Sequence, residues 1–309
     1  MIKIFSLFIG LMLVSLSARS EILESYDSID EFRISGSSWM SAVVGSESVL
    51  LERPVAVAVD NNLVFFVDDG LNALYVYDLV TRQASTLSSA FGKIESQEPR
   101  LFISNRKALF VVDPLGNQIL KFNFQGELFT IYDDPLNLNT PVGVCVNPNN
   151  GHLYVADSFY SHIIEFGEGG DPLAIHGLRR GGQTQAGNNI IGMACNDTGM
   201  FVVSKLSQFI NVFSYSGELI RQIPRPEVHN PTAVTIDQFD RVYISDAFDD
   251  RIRIYDQSKM IAEFGAEGND ALTFRAIKGL WADKYFLYVA DSLNRRIQVL
   301  SINRYADQK

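Results

Sequence analysis

Pro141–Phe166, PVGVCVNPNNGHLYVADSFYSHIIEF, is a stretch whose key positions return five more times along the chain. Outward from Asp157, an aromatic stands three residues before the acid, an isoleucine six after it and a phenylalanine nine after it. Anchoring the same frame on Asp68, Asp113, Ser204, Asp246 and Asp291 places Phe65, Phe110, Phe201, Tyr243 and Tyr288 at the minus-three position, beside Tyr154 of the quoted stretch. The plus-six position then reads Leu74, Ile119, Ile163, Ile210, Ile252 and Ile297, and the plus-nine position Tyr77, Phe122, Phe166, Phe213, Tyr255 and Leu300. Successive anchors lie 45, 44, 47, 42 and 45 residues apart. A fixed period of roughly 40–50 residues over most of a chain is the mark of propeller blades.

Runs such as LYVAD and VYISD are rich in aromatic and β-branched residues, the composition of a pleated strand, and helical spacing is absent. Each copy therefore predicts an inner strand (142–146 in the quoted stretch), a second (153–156), a third (162–166) and a fourth of the kind seen at 127–131 or 218–223. The repeated acid ends the second strand just before a polar turn, where its oxygens can accept from turn amides. A second periodic set, Asp60, Asn105, Asn147, Asn196, Asp237 and Asp283, falls where the first strand turns into the second. Six acids or amides in a ring are a candidate metal site, but Asp and Asn are also turn formers, and recurrence in every copy favours the turn.

The pattern resembles the NHL repeat, whose blades read approximately G-[IV]-A-V-D, [LV]-Y-V-A-D and N-x-R-I-x-V-F. The last copy matches best, with KGLWAD at 278–283 and LYVADSLNRRIQVL at 287–300; the fifth, with PTAVTID and VYISDAFDDRIRIY, is nearly as close. The fourth departs most, carrying Ser204 for the acid and Phe209 where an arginine would stand, which predicts a remodelled turn. The resemblance spans about Trp39 to Ile302 and implies an all-β, six-bladed propeller of four-stranded blades. Fold of this kind does not fix activity.

The ends suggest export. Lys3 precedes an uncharged run, Ile4 to Leu16, and Ala18-Arg19-Ser20 follows, the layout of a signal peptide cleaved before Glu21. The run is short for a bilayer span. We expect residues 1–20 to be a signal peptide, 21–38 an acidic N-terminal arm, and 39–305 the propeller. Because the last copy stops after its third strand, Trp39–Val44 is expected to supply the fourth, so that an N-terminal strand closes the ring and covers its open edge. Localisation is read as secreted or periplasmic, with no membrane span. Residues 1–20 hold Lys3, Arg19 and no acid, which leaves 24 basic against 36 acidic residues. Such a charge repels nucleic-acid backbones, so the RNA-binding face of some NHL domains is not expected.

Cys145 and Cys195 stand two and one residues before Asn147 and Asn196, which turns them to opposite faces of their blades. A disulfide needs Cα atoms within about 7 Å, and the register favours two buried small hydrophobes over one. Gly143, Gly192 and Gly279, with Ala56 and Ala233 in the same frame, are read as small residues where inner strands crowd the axis.

What does not repeat is the place to look for function. The loop GLRRGGQTQAGNN at 177–189 is basic and glycine-rich on an acidic protein. It belongs to the end of the ring where inner strands begin. Arg100, Arg179, Arg180, Lys205 and Lys278 fall at that end and are the candidate partner-binding residues. No catalytic or metal-ligating residues are assigned, and no cofactor is expected, although calcium is allowed. Resembling propellers include calcium lactonases and zinc-dependent amidating lyases. A zinc site needs three or four ligands, and His152, His162, His176 and His229 occupy no repeated channel position. G-x-S-x-G, phosphate-loop and C-x-x-C patterns are absent from the chain. The reading is an exported, non-enzymatic binding or scaffold propeller that engages a protein or cell-envelope polymer through its inter-blade loops. A metal-dependent hydrolase or lactonase of the channel is the alternative.

Overall fold

The structure is a computed structural model in which residues 28–32, 51–104, 107–180, 183–184 and 189–301 are described. Six four-stranded antiparallel sheets follow one another along the chain, five of them simple meanders from inner to outer strand. The blade containing the opening stretch runs Pro141–Val146, Leu153–Asp157, His162–Phe166 and Pro172–Gly177. These bounds lie within a residue of those expected for the first three. Helix is confined to Ser88–Phe91 and a 3-10 turn at Ser292–Asn294 among the described residues.

The repeated frame is the core. All six minus-three aromatics, all six plus-six aliphatics and all six plus-nine residues are buried. Each apolar cluster joins neighbouring blades: Phe110 and Ile119 of the second pack with Val155, Ile164 and Phe166 of the third. Tyr288 and Ile297 of the sixth pack with Phe66 and Tyr75 of the first, which closes the circle. A pleated strand points alternate residues to opposite faces, so each sheet feeds two interfaces at once. Removing a fully buried ring such as Phe166 costs about 3–5 kcal/mol.

The sixth sheet takes its fourth strand from the N-terminal side of the chain. Ser28–Phe32 pairs antiparallel with Arg296–Ser301, with Ser28 opposite Leu300 and Phe32 opposite Ile297. The segment expected in that place, Trp39–Val44, lies outside the described residues, as does the expected signal peptide.

The cysteine expectation is corrected. Cys145 and Cys195 form a disulfide, their Cα atoms 5.9 Å apart, between the inner strands of the third and fourth blades. The two do sit on opposite faces of their own sheets. In a ring, however, the forward face of one blade packs on the backward face of the next, so opposite faces are what brings them together. Closing a loop of 50 residues removes roughly 4 kcal/mol of unfolded-chain entropy in the loop-closure treatment.

Candidate functional site

The repeated acids tie the ring together at one end. Asp157 is fully buried and accepts from the backbone amides of Asn139 (2.8 Å), Thr140 (2.7 Å) and Tyr160 (2.7 Å). The first two belong to the loop that leads into the blade, the third to the blade's own turn. Asp68 does the same with Glu52, Arg53 and Leu71, and Asp113 with Glu95, Ser96 and Gly116. Asp246 repeats the pattern with His229, Asn230 and Phe248 and takes Arg253 as an additional donor, whereas Asp291 accepts one incoming amide, from Arg275, together with the side chains of Asn294, Arg296 and Gln298. The sequence reading of a turn-capping carboxylate holds, and the structure adds the bond back to the incoming loop.

The fourth blade is remodelled, as its sequence predicted. Ser204 ends the strand without an acid. The fully buried Arg225, from the following loop, donates to the Ser204 carbonyl and to that of Val228 (3.1 Å). The loop leading into this blade is the one that carries Arg179 and Arg180, so the distinctive loop and the missing acid are the same irregularity.

Two residues beyond each anchor stand Gly70, Leu115, Phe159, Leu206, Phe248 and Leu293. The five apolar members are each 65–71% exposed. Phe159, Leu206, Phe248 and Leu293 occupy equivalent turns, because their second strands end against the first residue of the inner strand in one register, as in Pro141 with Asp157. Leu115 stands on the corresponding turn after Asp113, which caps it through Gly116. The end of the ring therefore carries a crown of apolar tips separated by polar turns. Tyr160 stacks on His162, and Phe248 lies 4.9 Å from the His229 ring. The crown was readable as a column in the repeat, but not its exposure.

Inside the crown the inner strands line a cavity of about 70 Å³. Ala56, Gly143, Gly192, Ala233 and Gly279 face the residue before the anchor in their hairpins. A Cβ on Gly143 would lie 2.7 Å from the Met193 amide nitrogen, so glycine there permits adjacent inner strands to approach. The equivalent position of the second blade, opposite Val112, is Arg100. Its side chain reaches across the ring, with Nη1 3.2 Å from where a Gly192 Cβ would stand. Burial lowers its guanidinium to about 10, with Glu98 acting in the opposite sense, so it remains a cation at neutral pH. Lys278 lines the same cavity, and its Nζ meets Glu98 at 2.8 and 3.1 Å.

The structure thus brings two of the five candidate residues, Arg100 and Lys278, into one channel. Lys205 is exposed on the turn of the fourth blade, its amide bonded to the Asn189 carbonyl. Arg179–Arg180 pairs with Gln183–Thr184 as a two-residue hairpin between blades.

At the other end, the Asp and Asn ring caps turns. Asp237 accepts from the Phe239 and Arg241 amides, Asn196 from Thr198 and Gly199, and Asp283 from Tyr285 and Phe286. Among the described residues no three His, Cys, Asp or Glu side chains group as metal ligands. Two histidines nevertheless converge where the register gave no warning: His152 Nδ1 and His176 Nε2 meet opposite oxygens of Glu165 at 2.6 and 2.8 Å. Burial pushes the Glu165 carboxyl up, but bonds from His152, His176 and Tyr154 outweigh it and hold the group below its ordinary value.

No helix among the described residues is long and apolar enough to cross a membrane. The NHL repeat model matches residues 138–164. No curated protein matches in sequence. Similar solved structures include virginiamycin B lyase from Staphylococcus aureus, at 13% identity, TM-score 0.60, covering 82% of this chain and 98% of that one. A Bacteroides thetaiotaomicron protein of unknown function has TM-score 0.65 at 12% identity, covering 84% and 71%. An auxiliary nutrient binding protein from the same organism has TM-score 0.61 at 13%, covering 83% and 71%. At such identities these likenesses concern the fold. The chain is a six-bladed β-propeller whose third blade matches the NHL repeat model.

Proposed function

We propose that this propeller is an exported, non-enzymatic binding module that presents its crown end to a protein or cell-envelope polymer. The observation that carries the reading is the crown itself: five large apolar side chains held in the open on equivalent turns. Exposed apolar groups gathered on one face mark interaction surfaces, and ringing them with basic groups such as Lys205 suits a partner with acidic as well as apolar character. The Cys145–Cys195 bond supports export, since such bonds persist in oxidising compartments. A propeller named for nutrient binding among the similar structures agrees with a binding role. The channel hydrolase is not favoured, because Asp157, Asn147, Asn196, Asp237 and Asp283 spend side-chain oxygens on backbone amides.

The test is photocrosslinking in the native envelope, with the reactive group placed at Phe159 or Phe248 on the crown, at Phe129 on the outer rim, or at Tyr285 on the opposite end. A product specific to the crown, weakened by Phe159→Ser with Phe248→Ser, is expected. Products that form equally from the rim or the opposite end overturn the assignment.

A further inference from the structure

The channel holds a second feature that goes beyond a partner seated on the crown. Five of the six inner strands place Ala or Gly at one level of the ring, and the sixth places Arg100 there. Small neighbours leave the space into which the arginine extends, and Gly192, two blades away, is against its guanidinium. Among the described residues no hydrogen bond or ion pair engages that guanidinium, although protein surrounds it and only part of the side chain still faces the channel. An arginine left without a hydrogen bond and partly open to the channel presents its planar five-donor fork to a ligand, and that fork matches the paired oxygens of an oxyanion. Lys278, the nearest other cation of the channel, is already paired with Glu98.

We propose that the channel is a seat for a single carboxylate, gripped side-on by Arg100. The cavity of about 70 Å³ corresponds to about five water-sized sites, enough for a carboxylate with one or two carbons behind it. Its other walls are Val57, Leu101, Val144, Met193, Val234 and Leu280, which suit a short apolar tail. A phosphate or sulfate dianion fits less well. One guanidinium balances a single negative charge, and Glu98 at the mouth repels a dianion more strongly than a monoanion. The inner strands add donors, since each has a sheet partner on one edge only and turns the other toward the axis. The carboxylate can belong to a free short-chain acid or to the C-terminus of a polypeptide threaded into the mouth, and the experiment separates the two.

The purified protein in chloride buffer is titrated with ¹³C-acetate, ¹³C-propionate, inorganic phosphate, and the dipeptide acetyl-Ala-Ala with a free or an amidated C-terminus. The ligand signals and the arginine Nε–H resonances are followed by NMR. We expect saturable binding of carboxylates with dissociation constants on the order of 1 mM, at least tenfold weaker in Arg100→Met and intermediate in Arg100→Lys. Binding of acetate or propionate identifies a free-acid seat. Binding of the dipeptide acid alone, abolished by amidation, identifies a polypeptide terminus. No saturable binding by any carboxylate, binding unchanged in Arg100→Met, or tighter binding of phosphate overturns the proposal. Arg100→Met keeps the apolar stem and breaks no hydrogen bond or ion pair among the described residues, so it is expected to melt close to the parent chain, and loss of binding is then not loss of fold. Failure of this test leaves the crown untouched, because the crosslinking test reads Phe159 and Phe248 independently.

Discussion

Replacing Asp157 with alanine tests whether the repeated acid holds the ring together. The carboxylate is buried and accepts three backbone amides at 2.7–2.8 Å, two of them from residues 17 and 18 positions earlier. Hydrogen bonds to charged groups contribute about 1.5–3 kcal/mol each. Asn139 and Thr140 are half-buried and Tyr160 is exposed, so water recovers part of what is lost. We expect a net destabilisation of about 3–5 kcal/mol. Asp157→Asn keeps one acceptor oxygen and should lose about half as much. The control lies in the same molecule: the Ser204 Oγ has no hydrogen-bond partner, so Ser204→Ala at the equivalent turn should cost under about 1 kcal/mol. Urea unfolding followed by far-ultraviolet circular dichroism reads both through the midpoint, with the slope as a check that the same surface unfolds. If Asp157→Ala costs no more than Ser204→Ala, the loop-to-turn bonds do not hold the blades, and the reasoning fails.

Reducing the Cys145–Cys195 bond, or Cys145→Ser with Cys195→Ser, should cost up to roughly 4 kcal/mol and lower Tm by on the order of 10 °C; an unchanged melting curve under reductant contradicts this. The Glu165 carboxyl, held below its ordinary value of 4.5, contributes stability that is fully present above that value and is lost as pH falls through its lower native value. Glu165→Gln should therefore flatten the decline of Tm on the acid side, whereas a parallel decline shows that His152 and His176 do not hold the charge. Deleting residues 21–32 removes the strand paired with Arg296–Ser301 and leaves an open sheet edge, so Tm should fall and self-association rise. A monomer of unchanged Tm shows that this strand does not secure the ring.

The sequence by itself determined the architecture of this protein. Strand alternation and the 42–47 residue period are local properties, and the residues that satisfy them at minus three, plus six and plus nine are the ones the structure buries. The turn role of Asp157 was legible for the same reason, since one of its three bonds, from Tyr160, is within its own turn. The tertiary structure decided everything that lies between blades. Cys145 and Cys195 face away from each other in any single-blade reading and meet because neighbouring sheets present opposite faces. Arg100 looked like one of several loop cations. In five of the blades a bulge follows the first pair of the inner hairpin. In the second none is present, and only that register sets the arginine level with five small residues around the axis. Whether an apolar turn residue such as Phe159 folds back or stands out depends on the loops packed beside it. These are properties of the closed ring, and no one repeat contains them.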